Sequence, residues 1–359
     1  MAVRVGSPNV QARTLAVVSA LAAGGVGGWL GHLAQIPLAW MIGAMTATTA
    51  LAVVGIPLGM PKLLRNVMVA VLGIMLGSGF TPEIAQQMGD WGVSLSALTL
   101  YCAVAGAAGY VYFRRVCGYD APTAYFSAMP GGLSEMIMVG STMGGDTRII
   151  SLTHASRILL VVMTLPFAFQ ALTGYEPGAR PDAGPPLSEL VPIDLVVLAV
   201  CGAVGFVLAR GLRLPAAALV GPMLLSAGVH LAGWTTAKPP NELIALAQVV
   251  VGAAVGCRFA GVRAALILRT MISAAGGTVV LILATLAFAL AIGQITGLSR
   301  EALVLAFAPG GLAEMSLIAI AIGADTAFVA THHIIRVFLI VVAAPQAYRM
   351  LRLGRKPAS

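Results

Sequence analysis

Two seven-residue segments combine a helix breaker with a carboxylate inside strongly apolar sequence: PGGLSEM at 130–136 and PGGLAEM at 309–315. Proline removes a backbone N–H and disfavours helix at the residue before it, and paired glycines permit a tight reversal or the close approach of a ligand. A helix that begins after the glycines presents free N–H groups, which attract negative charge. Glu135 and Glu314 fall in the first turn of these helices. Such a carboxylate either caps its own helix or binds a proton, an ion or a substrate.

A histidine and an arginine follow each segment at the spacing i, i+3: His154 with Arg157, and His333 with Arg336. Residues three apart share one face of a helix, so each pair should act together. One interpretation is a hydrogen-bonded histidine beside an arginine that extends to the membrane interface. The other is a cationic partner for the neighbouring glutamates or for an anionic substrate.

The composition is that of a membrane protein. Of the 359 residues, 59% are hydrophobic and only 9% are charged, whereas about 25% are charged in an ordinary soluble domain. Apolar stretches such as 91–113 and 272–293 exceed the roughly 18 residues that suggest a bilayer span. The net charge of +8 is spread over single or paired Lys and Arg between apolar segments, which is typical of orientation signals in membrane loops. The sequence predicts an all-α polytopic membrane protein in a lipid bilayer, without direct binding of nucleic acid.

The two halves of the chain resemble each other. Residues 130–157 align without a gap to 309–336, including the Pro-Gly-Gly, the glutamate, the histidine and the arginine. Earlier pieces also correspond: IPLAWMIGAM (36–45) with LPAAALVGPM (214–223), and VLGIMLGSGF (71–80) with VVGAAVGCRF (250–259). The duplication predicts a first membrane repeat, an exposed linker, and a second membrane repeat with a basic C-terminal tail, at 1–173, 174–190 and 191–359.

Each half predicts five spans and one interrupted element, near 121–145 in the first half and 301–323 in the second. Cytoplasmic loops are enriched in Lys and Arg. With the N-terminus inside, the basic loops all fall on the cytoplasmic side only if each interrupted element returns to the side from which it entered. Each half then has an odd number of spans. We therefore expect two inverted-topology repeats, each with a re-entrant or broken helix at Pro-Gly-Gly, and both termini in the cytoplasm.

In an inverted pair, two helix starts can face each other across one site near the bilayer midplane. The expected contacts are made by the backbone of Gly131, Gly132, Gly310 and Gly311 and by the carboxylates of Glu135 and Glu314. The two histidine–arginine pairs are second-line candidates. The helix starts favour an anionic or zwitterionic substrate, whereas the paired glutamates favour a cation or an amine. The sequence leaves both open.

The doubled PGG-L-x-E-M motif, together with the LAWMIGAM and LVGPM segments, resembles the AbrB-type membrane protein family, whose members carry an internal duplication. The resemblance covers almost the whole chain and implies an integral protein of the bacterial inner membrane. Members carry two inherited labels, ammonia monooxygenase and regulator of expression. A copper oxygenase needs a cluster of His or carboxylate ligands, yet of the five histidines only His332 and His333 are adjacent. A DNA-binding regulator needs a basic recognition element, which this sequence lacks.

The sequence therefore predicts a secondary transporter or permease for a small solute, with no enzymatic activity, no metal site and no cofactor. Coupling to protons through the two glutamates is left open, as is assembly into a homo-oligomer. One alternative is a non-transporting membrane sensor that affects gene expression indirectly, through a partner. A weaker alternative is a membrane-bound ammonia monooxygenase.

Overall fold

The computed structural model describes residues 10–174 and 184–351. Within these ranges every regular element is a helix. The predicted linker at 174–190 falls largely on residues outside the described ranges, as does most of the predicted basic C-terminal tail.

The described helices follow the same order in the two halves. The first half contains α1 (Val10–Leu33), α2 (Ala39–Val54), α3 (Lys62–Gly77), the short α4 (Pro82–Gln87), α5 (Gly92–Val111), α6 (Ala121–Ala128), α7 (Leu133–Thr142) and α8 (Thr147–Thr173). The second half contains α9 (Pro192–Gly211), α10 (Ala217–Leu231), α11 (Asn241–Gly256), α12 (Ala264–Thr296), α13 (Arg300–Phe307), α14 (Leu312–Ile322) and α15 (Thr326–Met350). Apart from α4, each helix of the first half has a counterpart at the same place in the second.

Seven helical segments of the described chain are long and apolar enough to cross a membrane. They are Val10–Leu33, Met88–Val116, Thr147–Thr173, Pro192–Gly211, Asn241–Phe259, Ala264–Thr296 and Thr326–Met350. The helices α2, α10 and α14 are apolar but shorter. Large apolar side chains on the long helices, such as Leu100 and Leu283, point outward and are exposed, which suits a lipid surface and not water. The prediction of an all-α polytopic membrane protein is confirmed.

Glycines let the first two helices of each half approach closely. Gly27 of α1 lies against Gly43 of α2, and Gly205 of α9 lies against Gly221 of α10. A Cβ atom at any of the four would collide with the backbone of the facing helix. Small residues at such crossings let membrane helices pack through backbone contacts. The same crossing therefore occurs at equivalent positions of both halves.

The second helix of each half packs on the third helix of the other half. Gly252 of α11 lies against Met41 of α2, and Gly256, one turn later, lies against Thr48. The two helices thus run in the same direction. Among these residues Thr48 is fully buried, so the contact belongs to the core between the halves.

The equivalent crossing joins α3 and α10. Gly73 lies against Leu219, and Gly77 lies against Met223, so these two helices also run in the same direction. A Cβ atom at either glycine would approach a carbonyl oxygen of α10 too closely. Each half therefore supplies one glycine-bearing helix and one receiving helix to the interface.

The connection between α2 and α3 shows how the third helices are oriented. The backbone N–H of Gly59 donates to the carbonyl oxygen of Ala16 at 3.2 Å, which brings the connection back to the start of α1. Hence α3 starts at the end of the bundle where α1 starts, and it runs opposite to α2. Since α2 and α11 run in the same direction, α3 and its counterpart α11 run in opposite directions.

Candidate functional site

The first Pro-Gly-Gly separates two antiparallel limbs. The helix α6 ends at Ala128 and α7 begins at Leu133. Beyond the end of α7, the backbone N–H of Asp146 donates to Thr123 Oγ1, in the first turn of α6, at 2.8 Å. The chain therefore advances along α6, turns at the break and returns along α7. We call residues 121–145 hairpin 1.

The second Pro-Gly-Gly separates α13 and α14 in the same way. His333 Nε2 donates to the carbonyl oxygen of Leu305 at 2.9 Å, and Arg336, further along α15, donates to that of Ala308 at 2.6 Å. The helices α13 and α15 thus run in the same direction, while α14 reaches α15 through a short turn and runs opposite to both. We call residues 300–323 hairpin 2.

Arg336 satisfies carbonyl groups that the break in hairpin 2 leaves free. The last carbonyl groups of a helix have no intrahelical partner. Arg336 donates to the carbonyl oxygens of Ala308 at 2.6 Å, Gly310 at 2.9 Å and Phe307 at 3.4 Å. It also donates to His333 Nδ1 at 3.0 Å. Its cation lies at the C-terminal end of α13, where the helix dipole favours positive charge.

Arg157 makes the equivalent contacts in hairpin 1. It donates to the carbonyl oxygens of Ser127 at 3.4 Å and Met129 at 3.3 Å. Its second terminal nitrogen donates to His154 Nδ1 at 2.8 Å, and His154 Nε2 donates to the carbonyl oxygen of Phe126 at 2.8 Å. Both histidine nitrogens are therefore engaged, as they are in hairpin 2.

The histidine–arginine pairs bind backbone carbonyl groups of the hairpins and lie outside the cavity that the glutamates border. Arg157 is 4% exposed and Arg336 is 2% exposed. The interpretation of arginines that extend to the interface is therefore wrong, because the guanidinium groups are buried on carbonyl oxygens. The described hydrogen bonds join neither arginine to Glu135 or Glu314.

Glu135 connects hairpin 1 to the other half of the chain. Its Oε1 accepts a hydrogen bond from the backbone N–H of Ala216 at 3.2 Å. Ala216 precedes α10 in the left-handed conformation, with φ 49°, and its own side chain makes no cap hydrogen bond. The other carboxylate oxygen lies over Gly132, where a Cβ atom would collide with it. The carboxylate thus sits between the starts of two helices.

Glu314 occupies the equivalent position on hairpin 2. Its carboxylate lies over Gly311, where a Cβ atom would again collide with it. The side chain is 8% exposed, and the Arg65 guanidinium is close enough to attract it electrostatically. Both glutamates therefore fit the helix-capping interpretation, and this does not exclude binding, since both also border a cavity.

The remaining glycines of the two motifs pack against methionines. A Cβ atom at Gly131 would collide with Ile340 and crowd Met136, and one at Gly310 would collide with Met315. A side chain at either glycine would therefore force its neighbours at the hairpin tip to shift. Gly131 and Gly310 do not line the cavity described next.

A cavity of about 610 Å³ lies between the two hairpins; we call it the central cavity. Its polar lining residues are Arg65, Asn66, Ser134, Glu135, Arg210, Arg258 and Glu314, and Gly132 lines it as well. A neighbouring cavity of about 540 Å³ shares Arg65, Asn66, Ser134 and Arg258 with it and extends to Gly59, Met60 and Lys62. The central cavity therefore opens toward the start of α3. Of the ten predicted site residues, it brings together Gly132, Glu135 and Glu314.

Sequence reasoning missed the three arginines of the central cavity. Arg65, Arg210 and Arg258 served as orientation signals for cytoplasmic loops, yet their side chains reach the same cavity as the two glutamates. One signal could have found Arg258. It is the penultimate residue of the repeated segment VVGAAVGCRF, at a position where the first half has Gly79, so the duplicated segments differ there by one charge.

Histidine, cysteine and carboxylate side chains do not assemble into a metal-binding group. Within residues 10–174 and 184–351, no three of them are close enough to hold a metal ion. His332 Nδ1 donates to the carbonyl oxygen of Phe328 at 2.8 Å, and its Nε2 lies 2.9 Å from Ser94 Oγ. The adjacent His332 and His333 therefore serve two separate hydrogen-bonding networks.

Comparison with known proteins agrees with the doubled motif. The family model described as "Transition state regulatory protein AbrB" matches residues 40–352, which is most of the chain. The chain belongs to the AbrB family. A Bacillus subtilis (strain 168) member named "Uncharacterized protein YhjN" is 30% identical over 353 residues, covering 92% of each chain. The "Putative regulator AbrB" of Escherichia coli (strain K12) is 25% identical over 333 residues, covering 90% of this chain and 92% of its own.

Proposed function

We propose that this AbrB-family protein is a secondary transporter for a small solute, with the central cavity as its binding site. One observation carries the proposal: Glu135 of hairpin 1 and Glu314 of hairpin 2 border the same cavity although they come from different halves of the chain. Broken helices that meet at a charged cavity are a recurring way to bind solutes within a membrane. On this proposal the protein carries a solute across the bilayer and does not convert it.

We further propose that the halves are inverted repeats in a bacterial inner membrane. The opposite directions of α3 and α11 support this arrangement, as does the hairpin course of residues 121–145. Hairpin 1 then enters from the cytoplasm and hairpin 2 from the opposite side. Basic residues at the start of α3 and the ends of α9 and α11 support a cavity mouth and two termini on the cytoplasmic side.

Inverted repeats offer a simple route to alternating access. The glycine crossings between α2 and α11 and between α3 and α10 are equivalent. Each half can therefore adopt the local arrangement now seen in the other half while the overall packing stays the same. The described conformation opens toward Lys62 and Arg65. Its counterpart would open beside the start of α2, where Leu38 adopts the same left-handed conformation as Ala216.

Proton coupling is the second part of the proposal. An ionisable side chain within a membrane protein is costly and marks paths of ions, protons or substrates. Glu135 and Glu314 each cover the start of a helix, where free N–H groups attract negative charge. Protonation would weaken that hold and free the helix starts for the solute. Proton and solute would then move together.

The alternative function is a membrane sensor without transport. The names of the family model and of the Escherichia coli relative, which both refer to regulation, favour it. A sensor would use the same cavity to bind a ligand and would pass a conformational change to a partner. It differs from a transporter in one property, which is that the bound ligand never reaches the other side of the membrane.

The test is solute movement in proteoliposomes. Purified protein would be placed in liposomes loaded with a mixture of organic acids, amino acids and amines, and the solutes that leave would be identified by mass spectrometry. We expect one class to leave in the presence of wild type and to remain with Glu135→Gln/Glu314→Gln, a variant that keeps the hydrogen-bonding capacity of both side chains. A pH gradient should accelerate solute movement through the wild-type protein and not through the variant. Binding without any movement would favour the sensor.

A further inference from the structure

We propose that the solute is a small organic carboxylate with an apolar body, and that Arg65 and Arg258 hold its charged group. This inference rests on the proposed function and specifies its substrate class. The sequence left the charge of the substrate open because helix starts and glutamates favour opposite signs. The charges and partners around the central cavity decide between them.

The first argument is the state of the charged side chains. Three arginines and two glutamates line the cavity. Glu135 accepts a hydrogen bond from Ala216, and Glu314 is held over the start of its own helix. Within the described part of the chain, no hydrogen bond or ion pair links Arg65 or Arg258 to a carboxylate. Three guanidinium groups against two carboxylates leave the cavity lining with one net positive charge.

The guanidinium groups of Arg65 and Arg258 act on the same space. Arg65, from the first turn of α3, and Arg258, just beyond α11, are close enough to repel each other electrostatically. The Nε atom of Arg65 is buried and lacks a hydrogen-bond partner. Two like charges that face one cavity and form no ion pair there are stabilised when an anion binds between them. A carboxylate matches the planar donor geometry of guanidinium groups.

The helix starts add to this preference. The cavity is bordered by the first residues of α7, α10 and α14, at Leu133, Ala217 and Leu312. The residue that precedes each of these helices makes no side-chain cap. Each start contributes partial positive charge to the cavity, and protonation of Glu135 and Glu314 would leave that charge to the solute.

The walls of the central cavity indicate the chemistry of the rest of the solute. Apolar side chains such as Val220, Val251, Ile334 and Phe338 line the cavity beyond the arginines. A volume of about 610 Å³ lies in the range that holds small organic ligands, roughly 300–1,000 Å³. An inorganic anion would leave these walls unused. A carboxylate with an aliphatic body fills the cavity and neutralises it.

The test compares ligands that share one body and differ in charge. Unfolding of purified protein in detergent would be followed with hexanoate, hexylamine, hexan-1-ol, butyrate and inorganic phosphate at neutral pH. We expect hexanoate to raise the unfolding temperature and hexylamine and hexan-1-ol to leave it unchanged. Each methylene added between butyrate and hexanoate should tighten binding by about fourfold.

Variants locate the site. Arg65→Gln and Arg258→Gln should each weaken hexanoate binding by about 10- to 100-fold, as expected for the loss of a charged hydrogen bond. Arg263→Gln is the matched control, because Arg263 is exposed and does not line the cavity. The affinity of the Arg263→Gln variant for hexanoate should equal that of wild type. If a cavity variant fails to fold, the comparison of the three six-carbon ligands on wild type decides alone.

The outcomes separate this inference from the proposed function. Stabilisation by hexylamine in place of hexanoate, by phosphate as strongly as by hexanoate, or by no ligand would overturn the carboxylate assignment. Equal loss of binding in Arg263→Gln would overturn the assigned site. Hexanoate that binds as expected but never crosses proteoliposomes would support the substrate class and contradict transport.

Discussion

Replacing Arg336 with methionine should destabilise the protein more than the same change at Arg157. The substitution keeps the length of the side chain and removes all its donors. In hairpin 2 it leaves the carbonyl oxygens of Ala308 and Gly310 without the guanidinium, together with the weaker contact to Phe307. Each buried carbonyl left unsatisfied costs about 1–3 kcal/mol.

The gain from removing a buried charge reduces this cost. Taking a guanidinium out of the interior recovers part of its desolvation penalty, so we expect a net loss of about 2–4 kcal/mol for Arg336→Met. The contacts of Arg157 to Ser127 and Met129 are longer, at 3.4 and 3.3 Å. For Arg157→Met we expect a smaller loss, about 1–2 kcal/mol.

Unfolding by sodium dodecyl sulfate in mixed micelles, followed by circular dichroism, would measure both losses. Arg263→Met is the control, since a surface substitution should change the free energy of unfolding by less than about 0.5 kcal/mol. If Arg336→Met proved as stable as this control and lost only solute binding, the arginine would face the solute. The account of a hairpin held by its carbonyl groups would then be refuted.

Three further predictions concern packing, charge and access. Gly43→Leu should prevent stable folding, because any Cβ atom there collides with the backbone of Gly27 and overpacking costs about 1–3 kcal/mol or more; expression and gel filtration would show it, and a well-folded variant would contradict the crossing. Glu135→Gln should change the free energy of unfolding by less than about 1 kcal/mol, since the amide oxygen can still accept from Ala216, so a large loss in denaturant titration would assign the carboxylate a structural role. In a background without the native cysteines, the thiol introduced by Ser134→Cys should react with a water-soluble maleimide and hexanoate should slow the reaction, because Ser134 is an exposed cavity residue; a rate that hexanoate leaves unchanged would count against the cavity as the binding site.

The sequence predicted the fold well because its two strongest signals are independent of tertiary contacts. Apolar length identifies the long helices, and the gapless alignment of 130–157 with 309–336 identifies equivalent elements. The break at each Pro-Gly-Gly follows from backbone chemistry alone. The breaks lie between α6 and α7 and between α13 and α14, as expected from the motif.

The candidate site was less accessible to sequence reasoning, because burial and partners decide what a charged residue does. Arg336 belongs to a repeated histidine–arginine pair and Arg65 stands near an apolar segment, but neither context shows what the side chain contacts. In the fold, Arg336 donates hydrogen bonds to backbone carbonyl groups, whereas Arg65 faces a cavity. The interhelical contact between Glu135 and Ala216 also depends on the packing of two halves that are distant in sequence.

Side-specific labelling of the two hairpin tips tests the account most directly. Ser134 and Ala313 are equivalent residues of the repeated motifs, and both line the central cavity. Each would be replaced by cysteine in a background that lacks the four native cysteines, and a membrane-impermeant thiol reagent would be added to either side of oriented proteoliposomes. A transporter predicts reaction of each thiol from both sides, because the cavity opens alternately. Reaction only from the side that carries Lys62, with or without solute, would contradict transport and leave a one-sided binding pocket.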